Sequence, residues 1–208
     1  MASNNFNAVA PVYDALAGLV FGNTLQRAQR AALPYVPAGA RVLMVGGGTG
    51  RLLADLCRLN PAGLLITYVE QSDKMMHRAQ KRAVGNNEVA FMHTPIEDAA
   101  IATEDFDVVI TPFILDCLSE PVLGAVCTKL AKSLKPGGLW LHIDFSLSPL
   151  SPWWQHLLMK IMYAFFSITA KIGTSRLFPL NAYFAGFTAV AAHNFMAGFI
   201  TTQIYRKD

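Results

Sequence analysis

Cysteine is scarce in this chain. Cys57, Cys117 and Cys127 are the only three in 208 residues, and no two form a C-x-x-C pair. That excludes a disulfide framework and a cysteine-based zinc site. Each is expected to serve as a small buried hydrophobe in a reducing compartment. His77, His93, His142, His156 and His193 contain no H-E-x-x-H pairing, so no metal is expected either. Charge is also thin, at 15% of residues with a net +3, and the lysines and arginines form no basic run. The aromatic residues cluster with aliphatic ones rather than alternating with basic ones. Nucleic acid is therefore not an expected partner. A hydrophobic share of 53% excludes a disordered chain. The opening MASNNFNAVAPVYD has neither a basic n-region nor an apolar h-region. No secretory signal is expected, and a cytoplasmic location is.

A long clean apolar run is missing too. Residues 153–172 are strongly apolar, but His156, Lys160, Ser167 and Lys171 interrupt them. At 100° per residue those four share one narrow sector. A lysine near the middle of a spanning helix is expensive, and the stretch is barely of spanning length. The favoured reading is a mostly buried amphipathic helix, with a helix lying in a membrane interface as the alternative.

What is present is alternation. The length suits one domain with its own core. Residues 41–45 (RVLMV) read as a strand, 49–59 as a helix and 64–70 (LLITYVE) as a second strand. Ser72 is placed to cap a helix over 73–82, whose Asp73 favours its positive end. Strands follow at 89–93 and 106–111, a helix at 121–134, a turn at Lys135-Pro136-Gly137-Gly138, and a fifth strand at 139–145. Strands separated by helices imply right-handed βαβ units, hence an α/β, Rossmann-like three-layer sandwich with a parallel sheet. The tail differs: residues 188–194 and 199–205 flank Met196-Ala197-Gly198 and read as a hairpin at the sheet edge.

The sharpest feature is Gly46-Gly47-Gly48-Thr49-Gly50, directly after the first strand and opening a helix. Glycines there let the backbone turn tightly and approach a ligand closely. A dinucleotide G-x-G-x-x-G would need a third glycine where Arg51 stands, which disfavours a nicotinamide-dependent oxidoreductase. The Gly-Lys-Ser/Thr of a phosphate P-loop is absent. Glu70 ends the second strand, where a carboxylate can accept both hydroxyls of a ribose.

With these residues in place the chain resembles the class I S-adenosylmethionine-dependent methyltransferases, in particular their ubiquinone/menaquinone-biosynthesis-like branch. Residues 6–14 (FNAVAPVYD) are similar to that branch's opening segment. Residues 42–50 match its first motif, Glu70 its acidic ribose position, and LKPGG at 134–138 its turn before the fifth strand. The Asp144-Phe145 pair at the end of that strand and the Ala-Gly-Phe before the hairpin also fit. The resemblance covers nearly the whole chain and implies one methyltransferase domain over 1–208 with a seven-stranded sheet, its C-terminal hairpin strand antiparallel. It implies S-adenosylmethionine as cofactor and a small apolar acceptor such as a phenol, quinol or related aromatic. The cofactor residues it implies are Tyr13, Gly46, Gly47, Gly48, Thr49, Gly50, Glu70, Gln71, Ser72, Met75, Pro95, Ile96, Glu97, Thr111 and Phe113. Two positions depart from the family pattern: Met44 replaces an acidic residue, and His93-Thr94-Pro95-Ile96-Glu97 stands where a Gly-Asp pair is frequent. Met44 keeps a second reading open, a catalytically silent S-adenosylmethionine-binding protein acting as a partner subunit.

Methyl transfer from a sulfonium needs mainly alignment, with a base where the acceptor must lose a proton. Asp116, after the fourth strand, is the first expected base. His142, sharing a strand face with Asp144, is the second catalytic candidate, and His156 a weaker one. Each has a structural alternative as a cap, core imidazole or loop anchor. The N-terminal helical segment, 1–36, and the helix over about 150–173 are expected to cover the site. Trp153, Trp154, Met159, Met162, Tyr163, Phe165 and Phe166 are candidate pocket residues or plain core.

Overall fold

The computed structural model describes residues 13–169, 177, 178 and 180–208. The expected opening segment before Tyr13 and the end of the expected helix beyond 169 lie outside the described residues. The described chain runs α1 (Tyr13–Phe21), α2 (Thr24–Ala32), β1 (Arg41–Val45), α3 (Arg51–Leu59), β2 (Ala62–Val69), α4 (Asp73–Ala79), β3 (Asn86–Met92), β4 (Phe106–Pro112), α5 (Glu120–Ser133), β5 (Leu134–Phe145), α6 (Trp153–Thr169), β6 (Phe187–Phe195) and β7 (Ile200–Lys207). The seven strands form one sheet in the order β3-β2-β1-β4-β5-β7-β6. The first five are mutually parallel, and β7 enters antiparallel to both β5 and β6. The α/β reading and its hairpin are thus borne out.

Period-two alternation sorts the side chains into two cores. Val42 and Met44 of β1 join Leu52, Leu53 and Leu56 of α3 and Ala28 and Ala32 of α2 on one face. Leu43 and Val45 join Val126 and Leu130 of α5 and Trp140 on the other. Met44 is fully buried. The strand order reverses between β2 and β4, on either side of β1, which is where an open parallel sheet leaves a crevice at its carboxyl end.

Two local expectations shift. The turn at Lys135–Gly138 is drawn into β5 as a looped bulge, between the pairs Phe106↔Leu134 and Val108↔Leu139. Asp107 holds it there, accepting from Lys135 Nζ at 2.7 Å and from the Arg41 N–H at 2.8 Å. The helix expected over 73–82 ends at Ala79, because the turn that follows packs under the glycine loop: Arg82 Nε donates to the Thr49 carbonyl at 2.9 Å.

Candidate active site

Register sets the site. Val45 pairs with Val69, so Gly46 and Glu70 stand side by side one residue beyond the ends of β1 and β2. The Gly46 N–H donates to the Val69 carbonyl at 2.8 Å, prolonging the ladder into the loop. Gly46, Gly48 and Gly50 have φ of 68°, 61° and 75°, the left-handed region that glycine enters freely. Gly47 is needed for space instead. A Cβ there would lie 2.4 Å from the Tyr68 ring, whereas a Cβ on Gly48 would meet only Met75 Sδ, at 3.9 Å. Tyr68 is fully buried and donates its hydroxyl to the Gly48 carbonyl at 2.9 Å. The loop is therefore wrapped over a ring two residues before Glu70 on the same strand face.

Glu70 is 6% exposed. Its carboxylate accepts from the Gly48 N–H at 3.0 Å and the Ser72 N–H at 2.7 Å. Burial raises its pKa above the ordinary value, while the N–H groups of Ser72, Gly48 and Gln71 and the nearby His93 oppose the rise. The two anchoring bonds leave lone pairs on both oxygens for a ligand.

A cavity of about 700 Å³ opens over the loop, a volume that suits a small-molecule site. Gly46, Gly47, Gly48, Thr49, Glu70, Gln71, Met75, Pro95, Ile96, Glu97 and Phe113 all line it. Five expected residues do not. Gly50 lies below the loop, where a Cβ would meet the Ala79 backbone at 2.7 Å. Ser72 caps α4 by accepting from the Met75 N–H. Thr111 is buried and accepts from Trp140 Nε1 at 3.0 Å. Neither Asp116 nor His142 forms part of the cavity wall. Tyr13 opens α1, but its side chain lies outside the described residues. The cover comes from Ala17, Gly18 and Gly22 with Leu25, Gln26 and Gln29 of α2. No described residue of α6 lines the cavity, and Met159 and Tyr163 join the core.

His142 is 3% exposed, 3.4 Å from the Thr111 hydroxyl, with its ring 5.8 Å from Phe184. Burial lowers its pKa to about 4, so it is a neutral core imidazole at pH 7. Asp116 and Asp144 form a close pair. The Asp116 N–H donates to Asp144 Oδ2 at 3.3 Å, and Cys117 Sγ lies 3.3 Å from Asp116 Oδ1. Loss of solvent raises both carboxyls, Asp116 to about 6, and the charge of Asp116 raises Asp144 further.

Two supporting residues escaped the sequence reading, as did the backbone strain at a third. Tyr68 had a signal, its spacing of two from Glu70. Lys129 had none: from α5 its ammonium donates to the carbonyls of Ile96, Glu97 and Ala99 at 3.0, 2.6 and 3.1 Å, fixing the loop on the far wall. Phe113 was named, but not its strain. Its φ of 53° is costly for an aromatic residue, and its N–H donates to the Ile143 carbonyl at 2.8 Å.

Residues 42–138 match the family model described as a methyltransferase domain. A demethylmenaquinone methyltransferase of Clavibacter sepedonicus is 30% identical over 146 residues, 69% of this chain and 58% of that protein. A ubiquinone/menaquinone biosynthesis C-methyltransferase of Pseudomonas putida is 27% identical over 223 aligned positions, covering 95% of this chain and 85% of that one. The fold is shared with the Burkholderia thailandensis 1,6-didemethyltoxoflavin-N1-methyltransferase, solved with S-adenosylhomocysteine. There the TM-score is 0.63 at 17% identity over 96% of this chain and 84% of that one. Residues 42–138 thus carry a methyltransferase domain, and the chain is similar to the class I S-adenosylmethionine-dependent methyltransferases. Within them its curated relatives are of the ubiquinone/menaquinone-biosynthesis branch.

Gly47→Ala should lower the unfolding free energy by about 1–3 kcal/mol, because the Tyr68 ring must move. Urea unfolding checks this, and an unchanged midpoint would mean the loop is not seated on that ring. The carboxyl pair sets a pH dependence. The folded pKa of Asp116 lies above its ordinary value, so its contribution to stability is fully present below about pH 4 and is lost as pH rises through about 6. Asp116→Asn keeps a donor toward Asp144 and should flatten thermal stability between about pH 4 and 6, with a gain of roughly 1–3 kcal/mol above that window. A pH profile parallel to that of the wild type would contradict the coupling.

Proposed function

We propose that the chain transfers the methyl group of S-adenosylmethionine to an apolar small molecule of the phenol, quinol or related aromatic class. The observation that carries this is the Glu70 carboxylate, anchored by backbone N–H groups beside an open Gly48 at the carboxyl ends of β1 and β2. The fit to the cofactor rests on that arrangement: a carboxylate for two ribose hydroxyls, a loop face without side chains, and a cavity of sufficient size. Bound there, S-adenosylmethionine supplies a sulfonium methyl group whose in-line displacement by the acceptor leaves S-adenosylhomocysteine.

The chain's own residues bind, align and exclude water. Glu70 grips the ribose, and Pro95, Ile96 and Glu97, clamped from behind by Lys129, form the adenine wall. Leu25, Phe113, Ile114, Leu118 and Val122 give the cavity an apolar side, beside the polar Gln26, Gln29, Arg51 and Ser119, and that side favours an apolar acceptor. The curated relatives, at 25–30% identity, support a quinone-like acceptor. Phenols and quinols are acidic enough that solvent can take the proton. Asp116, raised to about 6 on the β4–α5 connection but outside the cavity wall, is the carboxyl we assign as base where one is needed, acting through an intervening water. The free cysteines fit a reducing, cytoplasmic location.

Calorimetric titration with S-adenosylhomocysteine should give a saturable heat, and NAD none. Glu70→Ala should weaken the former by about 1.5–3 kcal/mol, and Gly48→Ala should abolish it by filling the cradle. Tight NAD binding without a response to S-adenosylhomocysteine would overturn the reading. Asp116→Asn should slow turnover while leaving that affinity unchanged; equal turnover across pH would make Asp116 structural.

A further inference from the structure

The sequence pattern led to a helix buried on most of its circumference. Instead α6 is buried along one stripe only. Gln155, Met159 and Tyr163, spaced by four, face the protein at 0%, 4% and 7% exposure. Gln155 fixes the rotation of the helix. Its Nε2 donates to the carbonyls of Met196 and Ala197 at 3.0 and 3.3 Å, the two non-glycine left-handed residues of the β6–β7 turn. On the opposite side, also spaced by four, Trp153, Leu157 and Ile161 are 76%, 49% and 56% exposed, and Leu150 just before the helix is 94% exposed.

This ridge has a neighbour. Phe21 of α1 packs on Phe145 with ring centroids 5.6 Å apart, Phe145 on Phe199 at 5.3 Å, and Trp154 of α6 on Phe199 at 6.1 Å. Both helices therefore sit on one aromatic cluster at the carboxyl end of β5, and α1 exposes Leu19 and Val20. An apolar ridge beside a second apolar tip at one end of a molecule needs an occupant.

Charge selects it. Residues 146–169, which hold the ridge, carry Lys160 and no aspartate or glutamate. Lys160 is exposed and flanks the ridge. A second copy docked about a two-fold axis would set like charges face to face with no carboxylate from this stretch to pair them. An anionic lipid surface complements both features: acyl chains for the ridge and negative headgroups for Lys160. Among the described residues no helix is long and apolar enough to cross a membrane, so the contact would lie in the plane of the interface.

We infer that the exposed Leu150–Trp153–Leu157–Ile161 ridge of α6, with Lys160 beside it, docks the protein reversibly on anionic lipid. The test uses the full chain without cofactor, so its failure leaves the methyltransferase reading untouched. Wild type should co-sediment with vesicles of equal phosphatidylcholine and phosphatidylglycerol, and much less with phosphatidylcholine alone. Leu157→Glu with Ile161→Glu, both at exposed positions, should lose at least about tenfold in partition with an unchanged melting temperature. Lys160→Ala should lose about fivefold, and only on the anionic vesicles. Three results would overturn the inference: wild type staying in the supernatant, the double variant sedimenting like wild type, or wild type running as a dimer that the double variant splits.

Discussion

The bond from the Gly48 N–H to the Glu70 carboxylate holds the active end of the molecule together. It joins the two loops that leave the adjacent strands β1 and β2, and with the Tyr68 hydroxyl on the Gly48 carbonyl it grips one peptide group on both sides. A buried carboxylate is costly unless it is paired or hydrogen-bonded. Here backbone N–H groups meet part of that cost, and a ligand's hydroxyls would meet more. Binding and loop stability are thereby coupled. The same atoms that order the loop in the free protein present the unused lone pairs to the cavity.

The fold was legible because its signals are local. Near-continuous apolar strands, helices at regular intervals and a glycine loop at a strand end all follow from short-range pattern. The register of Val45 against Val69 then places Gly46 beside Glu70. The gathering of the loop, Glu70 and the 95–97 segment around one cavity was readable for the same reason, since each follows a strand end directly. The loss came wherever the argument needed a side-chain direction or a distant partner. His142 and Asp144 do share a strand face, but it is the face against Phe184 and the β4–α5 connection rather than the cavity. Lys129 reaches its three carbonyls from 30 to 33 positions away along the chain. The apolar residues of α6 were expected to be buried because periodicity counts faces without saying which one a neighbour covers. Gln155, a polar residue read as neither core nor site, is what decides that.

Two kinds of carboxyl thus occur at one end of the sheet. Glu70 is surrounded by N–H donors that favour its charge, whereas Asp116 and Asp144 face each other and Cys117 and resist ionising together. Environment alone sets how strongly each carboxyl resists ionising.

The placement of β7 between β5 and β6 has a consequence for how the molecule is made. β5 lies inside the sheet, yet its second neighbour is residues 200–207, paired from Leu139↔Arg206 to Phe145↔Ile200. During synthesis the first five strands emerge in an order that lets them assemble outward from β1. The flank of β5 that carries Trp140 and His142 stays unpaired until the hairpin leaves the ribosome. For that interval the nascent chain presents an open, apolar strand edge, the kind of surface on which chains pair with one another. Chaperone dependence should therefore track the β6–β7 hairpin rather than the parallel strands that precede it.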